Sequence, residues 1–302
     1  MEVSRSLVSR GRGYLGHHAR RIGRTAVDRW RASSDRVVSM PPVAGIGVGN
    51  MFSFWLWAHH GRLVGENRWV RRTDAMAPWL EAFPGLRPLV IDAAAVKLRD
   101  RRDADWHQDF DRFPRAHLES FIRERLFAGT RMALRDSDPG TVAVNVRRGD
   151  YYSDPALRKL YGFDIAGYVR TAMEGSLSQA QVDAVEVVSD DPEWCRMHLS
   201  FLSDYGRIHY QSASDGPVEN LGQLASARRL VLANSSFSYW AGYMSNVRHQ
   251  DNYDLVWAPA FHRRDINGGR SWQLDPRWSA VENVSAMMAW GDARDDVLRW
   301  CP

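Results

Sequence analysis

The stretch "TVAVNVRRGDYY", Thr141 to Tyr152, sets Arg147 and Arg148 directly behind residues that read as a buried strand, with Gly149 and Asp150 next. A guanidinium presents paired donors in a fixed fork and suits a phosphate or carboxylate. Side chains just past a strand face the crevice in which α/β sheets bind ligands. An anion, phosphate first, is therefore the expected occupant beside Arg147. For Arg148, an internal ion pair with Asp150 or a nearby acid is the competing role. Asn145, inside the strand, brings an amide that can hydrogen-bond a phosphate or sugar oxygen but cannot carry a proton charge.

Three further segments offer complementary groups. "NSSF" at 234–237 opens a helix-like run, where Ser235, Ser236, Phe237 and the backbone amides of a first turn form a cradle that a helix dipole makes favourable for negative charge. "VVSDDPEWC" at 187–195 puts Asp190 and Asp191 behind another strand, and Glu219 adds a carboxylate. "GIGVGNMF" at 45–52 is a glycine turn feeding an apolar helix near Asn50. Such a turn can present amides to an anionic or sugar ligand. It lacks the full dinucleotide fingerprint and a P-loop lysine, so tight packing is its alternative purpose.

The elements that must position these groups are regular beyond "RDSDPG" at 135–140. Strands are predicted at 141–146, 184–189, 207–210, 229–234 and 254–259, with helices around 163–174, 192–203, 218–228 and 236–246. Strands alternating with helices imply a parallel sheet covered on both faces. Before the break, "PLVIDA" at 88–93 reads as a strand, "RAHLESFIRERLF" from Arg115 as an amphipathic helix, and aromatic anchors recur at Trp69, Trp79, Trp106 and Phe110. "SAVENVSAMMAWG" reads as a final helix that packs back on the first domain. This divides the chain into a basic extension (1–36), a first domain (37–137) and a second, more regular domain (138–302).

Composition removes other classes. The 302 residues are 44% hydrophobic and 25% charged, enough for large cores. Apolar runs fall short of the roughly 18–20 residues of a membrane span, and the N-terminus lacks the apolar run of a secretory signal, so a cytoplasmic location is the expectation. Two cysteines, Cys195 and Cys301, make no disulfide framework and no metal spacing; no metal site is expected. Net charge is +4, yet the first 36 residues hold nine arginines against three acids, a surplus of six, which leaves about minus two for the rest. A basic arm on a near-neutral body reads either as a loosely packed or disordered extension or as a membrane-surface or partner-binding segment, rather than as a nucleic-acid footprint.

The segments together resemble the alpha-1,2-fucosyltransferase family (glycosyltransferase family 11-like). "VNVRRGDYY" is similar to its HxRRGDY motif, "VVSDDPEWC" to its S-D-D-x-x-W-C segment, "NSSFSYWAGYM" to N-S-S-F-S-W-W-A-A-Y-L, "LVWAPAFH" to a late V-x-x-P segment and "GVGNMF" to G-L-G-N-Q-M-F. The resemblance implies an α/β fold of GT-B type, two Rossmann-like domains facing a central cleft, and inverting, metal-independent transfer of fucose from GDP-L-fucose to O2 of a galactose in a glycan or lipid-linked acceptor. It implies that Arg147 contacts the diphosphate and Arg148 supports it or pairs with an acid. Ser235, Ser236 and Phe237 would line the phosphate and ribose, Asp190 the nucleoside, and Asn50 the cleft from the other domain. Asp150 is the candidate base, with orienting Arg148 or binding the acceptor as alternatives. Two departures stand out: Asn145 replaces the motif's histidine, and the early motif is one residue short, with no glutamine after Asn50. Transfer of another sugar, or a noncatalytic glycan-binding role, are the remaining alternatives.

Overall fold

The computed structural model describes residues 34–43 and 46–284. Two all-parallel sheets carry the chain. The first joins β1 (Arg36–Ser39), β2 (Asn67–Arg71), β3 (Val90–Ile91) and β4 (Arg101–Asp103) in the order β3-β2-β1-β4. The second joins β5 (Thr141–Val146), β6 (Ala184–Ser189), β7 (Arg207–Tyr210), β8 (Arg229–Val231), β9 (Val256–Pro259) and β10 (Ser279–Val281) in the order β10-β9-β8-β5-β6-β7. In each sheet the chain leaves its first strand toward one edge and later returns to the other side of that strand. The order reverses between β1 and β4 in one sheet and between β5 and β8 in the other. Parallel α/β sheets open their ligand crevices at such reversals, outside the carboxyl ends of the strands.

The helices are α1 (Val48–Leu63), α2 (Ala77–Ala82), α3 (Arg115–Phe121), α4 (Gly149–Ser153), α5 (Pro155–Tyr161), α6 (Ile165–Gln179), α7 (Pro192–His198), α8 (Pro217–Ser226) and α9 (Ser236–His249). Several start where the sequence supplies a carboxylate cap, followed by proline at α5 and α7. Asp154 accepts from the Ala156 and Leu157 amides ahead of α5, Asp164 from Gly167 at α6, and Asp191 from Trp194 at α7. Helix α1 is buried on nearly every side. Its Phe52 meets Trp240 of α9 at 5.5 Å between ring centroids, and Trp240 also packs on Phe110 and Phe121. One apolar cluster therefore runs from α1 and α3 into α8 and α9; a second fills the other face of the six-stranded sheet, around α6 and α7.

Local sequence foretold the second sheet better than the first. Strands β5, β6 and β7 occupy the predicted spans, whereas β8 ends at Val231 and β9 begins at Val256, after a 3-10 turn over Tyr253–Leu255. The strand read at 88–93 shrinks to Val90–Ile91, because Pro84–Leu89 winds into a 3-10 segment with Pro88 inside. The helix from Arg115 gives way to a π-helical segment at Ile122–Phe127. Ser279–Val281, read as the start of a final helix, extends the sheet beside β9, and residues from 285 onward lie outside the described residues. So do residues 1–33 of the basic extension. Arg36, its last residue, opens β1 and pairs with the buried Asp100 at 2.5 Å.

Candidate functional site

At the β5/β8 reversal lies a cavity of about 540 Å³. The segment from Gly47 to Asn50, at the start of α1, forms one wall, and Asn145, Arg147, Asp150, Asp190 and Ser235 to Phe237 form the other. The amino ends of α1 and α9 both open here, and neither helix has an acidic residue in its first turn. Leading first-turn amides have no partner within their own helix, Asn50 excepted, whose amide donates to the Gly47 carbonyl at 3.1 Å; two sets of donors and two positive dipole ends thus converge on one space.

The close approach of these helix ends needs Gly49. A Cβ there would stand 2.4 Å from the Ser236 hydroxyl oxygen and 2.5 Å from the Phe237 nitrogen. Its carbonyl accepts from the Trp240 indole at 2.9 Å. One residue on, the Asn50 side-chain oxygen accepts from Ser236 at 3.1 Å and from Gln108 at 2.7 Å. Asn50 thus ties both halves of the chain together at the cavity wall.

Arg147 lies at the cavity with its guanidinium bridging the carboxylates of Asp150 and Asp190. Asp190 reaches it over Gly149, whose positive φ of 22° and missing Cβ leave room; a Cβ would meet Asp190 Oδ2 at 2.5 Å. The second oxygen of Asp190 accepts from the Arg148 backbone amide at 2.7 Å. Arg148 itself takes the competing role. Its side chain is 7% exposed, sandwiched between the rings of Tyr152 and Trp194 at 4.2 and 4.1 Å, with Nε donating to Asp191 at 3.1 Å. It braces the loop and does not line the cavity.

Glu219 also departs from its expected place among the ligand-facing acids. It accepts from the Gly216 amide at 3.0 Å, closing the start of α8, and is not among the residues lining the cavity. Asn145 does line it, with its amide nitrogen donating to the Val188 carbonyl at 2.9 Å. Ser235 caps α9 through its extended backbone, with no side-chain cap bond. Cys195 is buried, and burial pushes its thiol up to about 11, as suits a core residue. Among the described residues, no group of three or more His, Cys, Asp or Glu side chains could hold a metal ion.

A second cavity, about 470 Å³, adjoins the first and shares Asn50, Tyr151, Tyr161 and Ser236 with it. The rings of Tyr151 and Tyr161 stack at 4.0 Å, forming the partition. Arg147 covers the outer face of Tyr151 at 5.1 Å and Arg263 that of Tyr161 at 5.4 Å. His262, in the far wall, has Nδ1 3.4 Å from the Tyr239 hydroxyl. Burial, then the charge of Arg263, lowers its pKa to about 4, so the imidazole is neutral near pH 7. Sequence reasoning missed this half of the site. Tyr151 follows directly on the arginine motif and could have been flagged, but Gln108 and Tyr161 carry no local signal.

Residues 108–250 match the model of glycosyl transferase family 11. An alpha-1,2-colitosyltransferase of Escherichia coli is 26% identical over 151 residues, covering 47% of this chain and 48% of that protein. The O-antigen biosynthesis glycosyltransferase WbnK, also of Escherichia coli, is 21% identical over 105 residues, 35% of this chain and 34% of the relative. The chain thus matches half or less of the length of these curated relatives. Among solved structures, POFUT1 in complex with GDP-fucose aligns over 70% of both chains at 14% identity, with a TM-score of 0.30. POFUT1 in complex with GDP aligns over 70% of both chains at a TM-score of 0.29; likenesses this distant carry no further argument.

Proposed function

Taking as premise that this chain is glycosyltransferase family 11-like over its matched region, we propose that it is a GDP-sugar-dependent glycosyltransferase acting on a glycan acceptor. The observation that carries the reading is the first cavity: a cavity-facing arginine set against two helix amino ends, the donor set a sugar diphosphate requires. The GT-B arrangement, with the two sheets flanking a cleft, belongs to the same proposal.

In this reading the diphosphate displaces Asp150 or Asp190 from the Arg147 guanidinium and lies against the amides of Ser236 and Phe237. As the bond from the anomeric carbon to the diphosphate oxygen breaks, the electron pair leaves with GDP. Arg147 and the amides, already in place, stabilise that growing charge without reorganising. The acceptor oxygen forms the new bond on the opposite face of the sugar, and its proton passes to a base. Asp150, released from Arg147, is the proposed base; Asn145 and Asn50 offer amide groups to the donor.

The finer proposal is L-fucose transfer from GDP-beta-L-fucose to O2 of a galactose. A second donor has specific support: one relative is named for colitosyl transfer, so another deoxy sugar is the alternative donor. Attraction of the basic arm to an anionic membrane surface, where lipid-linked acceptors are assembled, is proposed from its charge alone; a cytoplasmic site of action is proposed beside it. No helix among the described residues is long and apolar enough to cross a membrane.

The deciding experiment incubates the full chain with GDP-fucose and other GDP-deoxysugars against a panel of galactosides, with linkage analysis of products. GDP binding is followed by calorimetry. Turnover of one donor into a 1,2-linked product is expected. GDP binding without turnover of any donor would instead favour a noncatalytic glycan-binding protein, and failure to bind GDP would sink the reading altogether.

A further inference from the structure

We infer that the second cavity is the acceptor subsite and that it takes the uncharged end of a glycan, with the indole of Trp106 as platform for a sugar ring. The inference rests on the reading of the first cavity as the donor site, and it is carried by the placement of the second cavity, the construction of its rim and its charge balance.

The cavity lies where the first sheet reverses its strand order. The chain beyond β1 supplies Asn50 and the chain beyond β4 supplies the loop from Asp105 to Arg112. A parallel sheet binds ligands at this point whatever its chemistry. The six-stranded sheet uses its own reversal for the first cavity, and Asn50, Ser236 and the Tyr151–Tyr161 partition belong to both spaces. A sugar held in the second cavity therefore lies next to the first, against residues that line both.

Trp106 is 43% exposed at this rim, among the few large apolar side chains that the described surface leaves open. Its neighbours are locked. His107, 5% exposed, adopts a positive φ of 53°, stacks on Trp57 at 4.7 Å and holds Asp103 at 3.1 Å; Gln108 donates to Asn50 at 2.7 Å. A left-handed histidine is a strained conformation that the surrounding contacts must enforce. The loop is thus built to present an indole, not left loose. An aromatic face beside carboxylates suits a pyranose, whose C–H face packs on the ring while its hydroxyls bond at the edge.

Charge sets the class of sugar. Arg112 bridges Asp105 at 2.8 Å and Asp109 at 3.2 Å, and Arg263 is held by Asp265 at 2.6 Å, two guanidiniums against three carboxylates. An acidic sugar would have to compete with these carboxylates for the arginines. A neutral one meets neither that competition nor repulsion from the surplus carboxylate.

The test compares the full-length protein with Trp106→Ala and Trp106→Phe. GDP affinity is read by calorimetry, and binding of methyl beta-galactoside and its 6-sulfate to the GDP-loaded protein by saturation-transfer NMR. The inference predicts at least tenfold weaker binding of the neutral galactoside to Trp106→Ala, largely restored in Trp106→Phe, with GDP affinity and thermal midpoint unchanged. It also predicts that wild type prefers the neutral glycoside to the sulfated one. A wild type that binds GDP but whose galactoside affinity is indifferent to Trp106→Ala, or that prefers the sulfated sugar, overturns this inference alone. A wild type that binds no GDP overturns the donor reading and this one with it.

Discussion

At the scale of single residues, the two adjacent arginines have separate fates. Arg147 faces the cavity, held between two carboxylates, while Arg148 is stacked between aromatic rings and tied to Asp191. Arg147→Ala is expected to leave the fold intact, weaken GDP binding at least tenfold and abolish most transfer, checked by calorimetry, circular dichroism and product assay. Unchanged GDP affinity would remove Arg147 from the diphosphate. Asp150→Asn separates two roles. If Asp150 is the proposed proton acceptor, turnover should fall by about 10²–10⁴ while GDP affinity holds. An equal loss of GDP affinity would mean that Asp150 serves to aim Arg147. The sequence placed both side chains at a strand end correctly, but it could not tell which arginine is spent on packing, because Trp194 lies far downstream in the chain.

Among elements, the junction of α1 with α9 decides whether there is a cavity at all. Gly49 allows the two amino ends to touch, and the obstacle to a larger residue is largely backbone, which cannot swing aside. Gly49→Ala should destabilise the protein by about 1–3 kcal/mol through overpacking and weaken GDP binding together with it. Urea unfolding and calorimetry on the same sample read both effects. A variant of wild-type stability and GDP affinity would show that the contact does not shape the site. The glycine-rich turn was legible in the sequence. Its partner was not, because Ser236 is far away in the chain and no local pattern announces the pairing.

For the whole molecule, the buried histidines link folding to pH. His59 Nδ1 accepts from Arg125 Nε at 3.2 Å, and its Nε2 lies 3.1 Å from the Ser120 hydroxyl; burial and then Arg125 lower its pKa to about 4. His262 is lowered to about 4 as well. Both folded-state values lie below the unfolded value of about 6.5. Between about pH 4 and 6.5 the unfolded chain thus binds more protons, and stability rises with pH across that window. The contribution is complete above about pH 6.5 and is lost as pH falls toward 4. Urea midpoints should therefore be higher at pH 7 than at pH 4.5, and His59→Gln should reduce that difference. An identical pH dependence in the variant would remove His59 from the effect.

Sequence alone determined five of the six strands of the second sheet and set the arginine pair at a strand end, because strand and helix periodicities are local properties; the sixth strand, Ser279–Val281, reads locally as helix. It also determined the family resemblance, which residues 108–250 bear out. Tertiary structure decided the rest. The four short strands of the first sheet include charged, arginine-rich segments without alternation, and become strands only through pairing with distant partners. Glu219 became a helix cap and Arg148 a packed brace because burial and neighbouring backbone, not residue type, assign such roles. The second cavity exists only because the loop of Trp106, the partition of Tyr151 and Tyr161, and His262 meet in space from three separate stretches of the chain.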